Sequence, residues 1–180
     1  WVFFEALFEC FFGGPFFFRF FVLLQLFYER QNQTIFVKHE VVHNKYVIEE
    51  LIKKGVVFIE SLEEVPDNAI LIYSAHGVSK EVSDLTSEKN LKIFDATCPL
   101  VTKVHFEIHK YAKEDTDVIL IGHHGHPEVE GTMGQYVSEK GKIHLIESED
   151  DVSKLVIKND KIAYVSQTTL SVDGYGNHNW

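Results

Sequence analysis

The chain has 180 residues, 45% apolar and 24% charged, the composition of a soluble globular protein with a core large enough to need no staples. Seventeen basic against 27 acidic residues leave a net charge of -10, which excludes non-specific nucleic-acid binding, because phosphate backbones need Lys and Arg. Two cysteines, Cys10 and Cys98, exclude a disulfide framework, and with no secretory signal read the expected compartment is a reducing cytoplasm.

The N-terminal stretch differs from the rest. Eleven of the 15 phenylalanines lie between Phe3 and Phe27. Glu5, Glu9 and Arg19 interrupt this segment and Gly13-Gly14-Pro15 breaks it, so its charge-free run falls short of the about 20 residues of a membrane helix. Early basic residues and a small-residue cleavage site, the marks of a signal peptide, are missing. Residues 16–28 could form a helix that is apolar on every side. Buried core, or a stretch foreign to the natural sequence, is the expectation for residues 1–33, ahead of a membrane-interface role.

From Ile35 the chain alternates. Ile35-Phe36-Val37 reads as a strand and Tyr46 to Lys54 as a helix ended by Gly55. Val56 to Ile59 and Ala69 to Ser74 read as strands, followed by a helix from about Ser79 to Glu88. Lys92 to Asp95 is a strand. Leu100 to Lys113 is a helix with Leu100, Val101, Val104, Ile108 and Tyr111 on one face. Val118 to Ile121 is a fully apolar strand, and a helix begins near Glu128. Ile143 to Ile146, a short helix near Asp150 to Leu155, and Ile162 to Val165 complete the series. This pattern predicts an α/β fold of two consecutive small units with largely parallel sheets flanked by helices, joined near Thr97 to Pro99.

The polar residues fall beyond the carboxyl ends of these strands. His43 follows the first strand, His76 the third and Cys98 the fourth; His126 and Glu128 follow Val118 to Ile121, and Thr168-Thr169 follow the last. In open α/β sheets ligands bind at that edge, and helix N-termini there offer N–H groups to anions. Histidines in this setting suit a phosphorylated anion when protonated or a metal when neutral. Cys98 is open to three readings: nucleophile, metal ligand, or small buried hydrophobe.

Five local words then carry a resemblance. They are His39-Glu40-Val41-Val42-His43-Asn44, Ser74-Ala75-His76-Gly77-Val78-Ser79, Phe94-Asp95-Ala96-Thr97-Cys98-Pro99, Gly122-His123-His124-Gly125-His126-Pro127-Glu128, and Gln167-Thr168-Thr169-Leu170-Ser171-Val172-Asp173. From about Thr34 to Asp173 the chain resembles the LytB (IspH) family of 4-hydroxy-3-methylbut-2-enyl diphosphate reductases. The resemblance implies the first two of three pseudo-symmetric α/β domains, residues 34–98 and 99–173, between an atypical segment 1–33 and a divergent tail 174–180.

It also implies an iron–sulfur oxidoreductase of isoprenoid biosynthesis by the methylerythritol phosphate pathway. The implied reaction is reductive dehydroxylation of (E)-4-hydroxy-3-methylbut-2-enyl diphosphate to isopentenyl and dimethylallyl diphosphate. The family's 4Fe–4S cluster sits on three cysteines, one per domain, and Cys98 matches the middle one. His43, His76 and His126 match histidines around the substrate diphosphate. Glu128 matches the acid that delivers protons to the departing hydroxyl, and Thr169 matches a hydroxyl beside it. Flavodoxin or ferredoxin is the implied electron donor, and the cytoplasm, or a plastid in a photosynthetic eukaryote, the implied location.

Two stretches depart from the family pattern. Cys10, in Phe8-Glu9-Cys10-Phe11, stands where the family has Gly-Phe-Cys-Ala-Gly, with other neighbours and a few residues too far from His43. After Asp173 the third-domain cysteine does not follow. The expectation is a fragment, or a reading frame lost at both ends, that does not assemble the cluster alone. The alternative function is a non-catalytic remnant that binds a diphosphate-like anion or a partner protein. His105 and His109, four apart, are read as a solvated helix face rather than a metal site. His123 and His124 are read as orienting their loop, and Lys53-Lys54 and Glu147 to Asp151 as solvated surface.

Overall fold

Runs of four or five residues rich in Ile, Val, Leu and Phe, separated by stretches of 10 to 21 residues, are too far apart for hairpins and form parallel strands joined by long crossovers. The computed structural model describes residues 34–39, 45–157 and 159–170, with Val47 described in its backbone alone. The readings placed on residues 1–33, Cys10 among them, on His43 and on the tail lie outside the described residues. The strands are β1 (Ile35–Lys38), β2 (Val56–Ile59), β3 (Ile70–Tyr73), β4 (Lys92–Asp95), β5 (Asp117–Ile121), β6 (Ile143–Ile146) and β7 (Ile162–Ser166). The helices are α1 (Lys45–Lys53), α2 (Lys80–Glu88), α3 (Pro99–Lys113), α4 (Pro127–Gly134) and α5 (Glu149–Lys154). No helix among the described residues is long and apolar enough to cross a membrane.

The described chain divides into two compact units. One holds the residues up to Ser74 together with Glu88–Ala96, the other Ala75–Ser87 together with the residues from Thr97 onward. A single crossing near Cys98 was expected; the chain instead passes between the units three times, and α2 lies almost wholly with the second.

In the first unit a four-stranded sheet runs in the order β2-β1-β3-β4, parallel throughout. Every residue of β3 is buried, as a central parallel strand requires. Ile35, Val37, Ile70 and Ile72 pack with Val56 and with Ile48 and Leu51, which lie three apart on α1 and so share a face. A 3₁₀ turn at Leu62–Glu64, absent from the sequence reading, is held by a capping box between Ser61 and Glu64. Lys89 Nζ closes that turn by donating to Leu62 O and Val65 O at 2.8 and 2.7 Å.

The second unit has a three-stranded parallel sheet, β6-β5-β7. Buried Val118 and Leu120 of β5 share it with α3, which buries Val101, Ile108 and Ala112. Leu100, expected on the buried face of α3, is 62% exposed. It stands one residue, hence about 100°, off the line through Val101, Ile108 and Ala112. β7 is an edge strand whose Ile162 and Tyr164 face outward, Tyr164 with 78% of its surface exposed.

Asp117, buried at the start of β5, ties the amino ends of all three strands. Its Oδ1 accepts from Lys142 N at 2.9 Å, just before β6, and from Asn159 Nδ2 at 3.2 Å, just before β7. Beside it, Tyr136 donates its phenol to Thr116 O at 2.6 Å. Burial pushes the Tyr136 phenol above its ordinary value; the Asp117 and Asp115 carboxylates push the same way, and the Ser138 hydroxyl opposes them. Because the folded chain holds this proton more tightly than the unfolded chain, its stabilising effect is complete below about pH 10 and disappears as pH rises through the folded value. Urea midpoints measured between about pH 9 and pH 11.5 should therefore fall more steeply for the parent chain than for Tyr136→Phe.

Candidate functional site

In a sheet whose order reverses about a central strand, successive crossovers leave that strand on opposite faces and a crevice opens at its carboxyl end. In the second unit this point lies between β5 and β7, which are neighbours in space but far apart in sequence. The loop after β5 carries His126 and leads into α4, whose first turn carries Glu128, and the turn after β7 carries Thr168 and Thr169.

His126 is the N-cap of α4, and Pro127 occupies the first helical position. Its Nδ1 accepts the Glu128 N–H at 3.1 Å. An acceptor Nδ1 carries no hydrogen, so the geometry assigns the ring as the neutral tautomer with its hydrogen on Nε2. The charged imidazolium allowed by the sequence reading does not fit this cap at His126. The His126 ring meets the ring of His76 edge to face, with centroids 5.4 Å apart and planes at 84°.

His76 sits in the turn before α2, and the next residue makes the packing tight. Gly77 has φ +74°, and a Cβ there would lie 2.7 Å from His105 Cε1. His105 is thus packed against the turn that carries His76, which corrects the reading of a solvated face; His109 is half-buried as well. Cys98 N–H donates to Ala75 O at 3.0 Å and so joins the start of α3 to the same turn. Cys98 is the N-cap of α3, its side chain makes no capping bond, and it is half-buried rather than a core hydrophobe.

Glu128, on the first turn of α4, is 2% exposed. Its Oε1 accepts Thr168 N–H at 2.6 Å and its Oε2 accepts the Thr168 hydroxyl at 3.0 Å. The helix N-terminus adds a favourable partial charge to this buried carboxylate. The hydroxyl beside Glu128 is therefore that of Thr168. Thr169, assigned to that place from the sequence, instead accepts from Gln167 Nε2 at 2.9 Å. In a turn, consecutive side chains diverge, and the pair Thr168-Thr169 gives the sequence no means to choose between them. His123 and His124 are exposed, and their N–H groups hold the loop through Gln167 Oε1 and Glu147 Oε1.

An iron–sulfur cluster needs three or four thiolates. Among the described residues Cys98 is the one cysteine, and no three His, Cys, Asp or Glu side chains come together to hold a metal ion. The described residues therefore do not by themselves fit a cluster. What they bring together is His76, His126, Glu128, Thr168 and Cys98, joined by the contacts above.

Parallel strands with polar side chains just past their carboxyl ends define an α/β protein with a candidate site at the switch point of its second sheet. The chain belongs to the LytB protein family, whose profile matches residues 23–178. It is 57% identical over 143 residues to the 4-hydroxy-3-methylbut-2-enyl diphosphate reductase of Methylococcus capsulatus, covering 79% of this chain and 46% of that one. It is 59% identical over 146 residues to the same-named protein of Francisella philomiragia, covering 81% and 46%. The solved E-1-hydroxy-2-methyl-but-2-enyl-4-diphosphate reductase of Plasmodium falciparum superposes with a TM-score of 0.76 at 43% identity, covering 84% of this chain and 47% of that one. The chain spans about half the length of the curated relatives it matches.

Two substitutions test this local architecture. Gly77→Ala meets both a left-handed φ and a ring edge, and should cost about 1–3 kcal/mol in urea unfolding. His126→Ala removes a cap and should cost about 1 kcal/mol, whereas His126→Asn, a good cap, should stay within about 0.5 kcal/mol of the parent.

Proposed function

We propose that residues 34–170 form the substrate-holding and proton-delivering part of a 4-hydroxy-3-methylbut-2-enyl diphosphate reductase of isoprenoid biosynthesis. The family match and the shared names of the relatives support this reading. The observation that carries it is the buried Glu128 carboxylate, bonded to both the N–H and the hydroxyl of the exposed Thr168.

The reaction replaces an allylic C–O bond by C–H. Two electrons and two protons enter, and the hydroxyl leaves as water. Hydroxide is a poor leaving group, so a proton must reach that oxygen as the bond breaks. Glu128 is too deeply buried to meet the substrate itself. A proton delivered to Oε2 would reverse the bond that the Thr168 hydroxyl now donates to it, and the hydroxyl would release its own proton outward while receiving that one. Glu128 is thus the acid and Thr168 its outlet.

The substrate's diphosphate needs donors. His126, kept as the Nε2–H tautomer by its cap, offers one, and His76, in edge contact with it, lies beside the same mouth. His43 is proposed as a third, and the Thr169 hydroxyl as a further contact in the turn after β7. Cys98 is offered as one thiolate toward a 4Fe–4S cluster that the described residues do not complete. A flavodoxin or ferredoxin is the proposed reductant, in the cytoplasm or a plastid.

The test grafts residues 34–170 into the Methylococcus capsulatus relative and reconstitutes the product anaerobically. The graft should turn over the allylic diphosphate, and Glu128→Gln should lower kcat by about a hundredfold or more while substrate affinity stays within about threefold. A folded graft without turnover, or one in which Glu128→Gln is silent, would sink the reading.

A further inference from the structure

Gln167 directly follows β7 and is 4% exposed. Its N–H donates to Ile121 O at 2.8 Å, which extends the β5–β7 ladder one residue past Ser166. Its side-chain amide then bonds in two directions: Oε1 accepts His123 N–H at 3.1 Å, and Nε2 donates to Thr169 Oγ1 at 2.9 Å. Room for this comes from Gly122, where a Cβ would lie 2.6 Å from Val129 Cγ2 and 3.2 Å from Gln167 Oε1.

The bond to His123 joins the same pair of segments as the Glu128–Thr168 contact, and the bond to Thr169 braces the turn after β7 from within. His123 opens the loop that ends in His126 and Glu128, and Thr169 closes the turn that begins with Thr168. A carboxylate that takes both the N–H and the hydroxyl of one residue tolerates little sliding, because hydrogen bonds weaken steeply with distance and angle. The Gln167 amide spans the gap beside that contact and removes the freedom to slide.

We infer that Gln167 is a positioning residue, a buried amide that ties the β5–α4 loop to the turn after β7 and so aligns Thr168 with Glu128. The inference deepens the proton-delivery reading above and rests on it for its chemical meaning. Its structural content can be tested without turnover.

The test is amide hydrogen exchange, read by NMR on the full 180-residue chain. Gln167→Met removes both side-chain bonds and should speed exchange at His123 and at Thr168 by about tenfold or more, while Val118 in β5 keeps its rate. Thr168 N–H is bonded to Glu128 and not to Gln167, so its loss of protection reports alignment. Gln167→Glu keeps acceptors for His123 N–H and for the Thr169 hydroxyl, and should restore both rates to within about threefold. Thr169→Val cuts one bridge only; it should speed exchange at Thr168, leave His123 protected, and decide the matter if Gln167→Met does not fold.

Unchanged Thr168 exchange would overturn the inference, and so would an equal rise at Val118, since Gln167 would then be ordinary core. In an active graft, Gln167→Met should lower kcat about tenfold with KM within about threefold. A graft that loses turnover with Glu128→Gln but not with Gln167→Met would overturn the inference and leave the functional reading standing.

Discussion

A buried carboxylate must be satisfied by protein groups or it destabilises the fold, and at Glu128 one residue, Thr168, supplies both the N–H and the hydroxyl. Much of the second unit's local geometry follows from that requirement. The turn after β7 must come close to the first turn of α4, so β7 must lie against β5. The loop between β5 and α4 must then turn within a few residues, which the glycines at 122 and 125 and the cap at His126 allow.

Topology makes these contacts available. Parallel strands return through long crossovers, so loops that are distant in sequence collect beyond their carboxyl ends. His76, Cys98, His126, Glu128 and Thr168 span nearly a hundred residues, yet His76 meets His126, His126 caps Glu128, Glu128 bonds Thr168, and Cys98 bonds Ala75 beside His76. The helix starts do part of the work. α3 begins at Cys98 and α4 at His126, and in both cases a proline follows the cap. These two proline starts fix the backbone direction where each chemically capable side chain is presented.

The fold was largely legible because apolar β-branched runs identify strands and the spacing between them forbids hairpins. Each strand of the described residues lies within a residue or so of its expected position. The errors are local and have physical causes. Leu100 is apolar and begins a helix, but the buried line of α3 passes through Val101, Ile108 and Ala112, and a small alanine gives a weak signal for burial. The turn at Leu62–Glu64 was marked by Ser61 and Glu64, a capping box in a segment with no periodicity. The choice between Thr168 and Thr169 depended on a backbone turn that two identical neighbours cannot encode. Gln167 carried no signal beyond its place at the end of an apolar strand, because an amide that bridges two loops leaves no period in the sequence.

The two edges of the second sheet are built differently. At the amino edge the Asp117 carboxylate draws Lys142 and Asn159 together within the fold, and the neighbouring phenol of Tyr136 adds another buried bond. At the carboxyl edge the bonds run from loop to loop and reach the surface through Thr168 and Thr169. The sheet therefore has a spine and a mouth. Groups from distant loops thus meet solvent at one edge, while the other is closed by bonds made inside the fold.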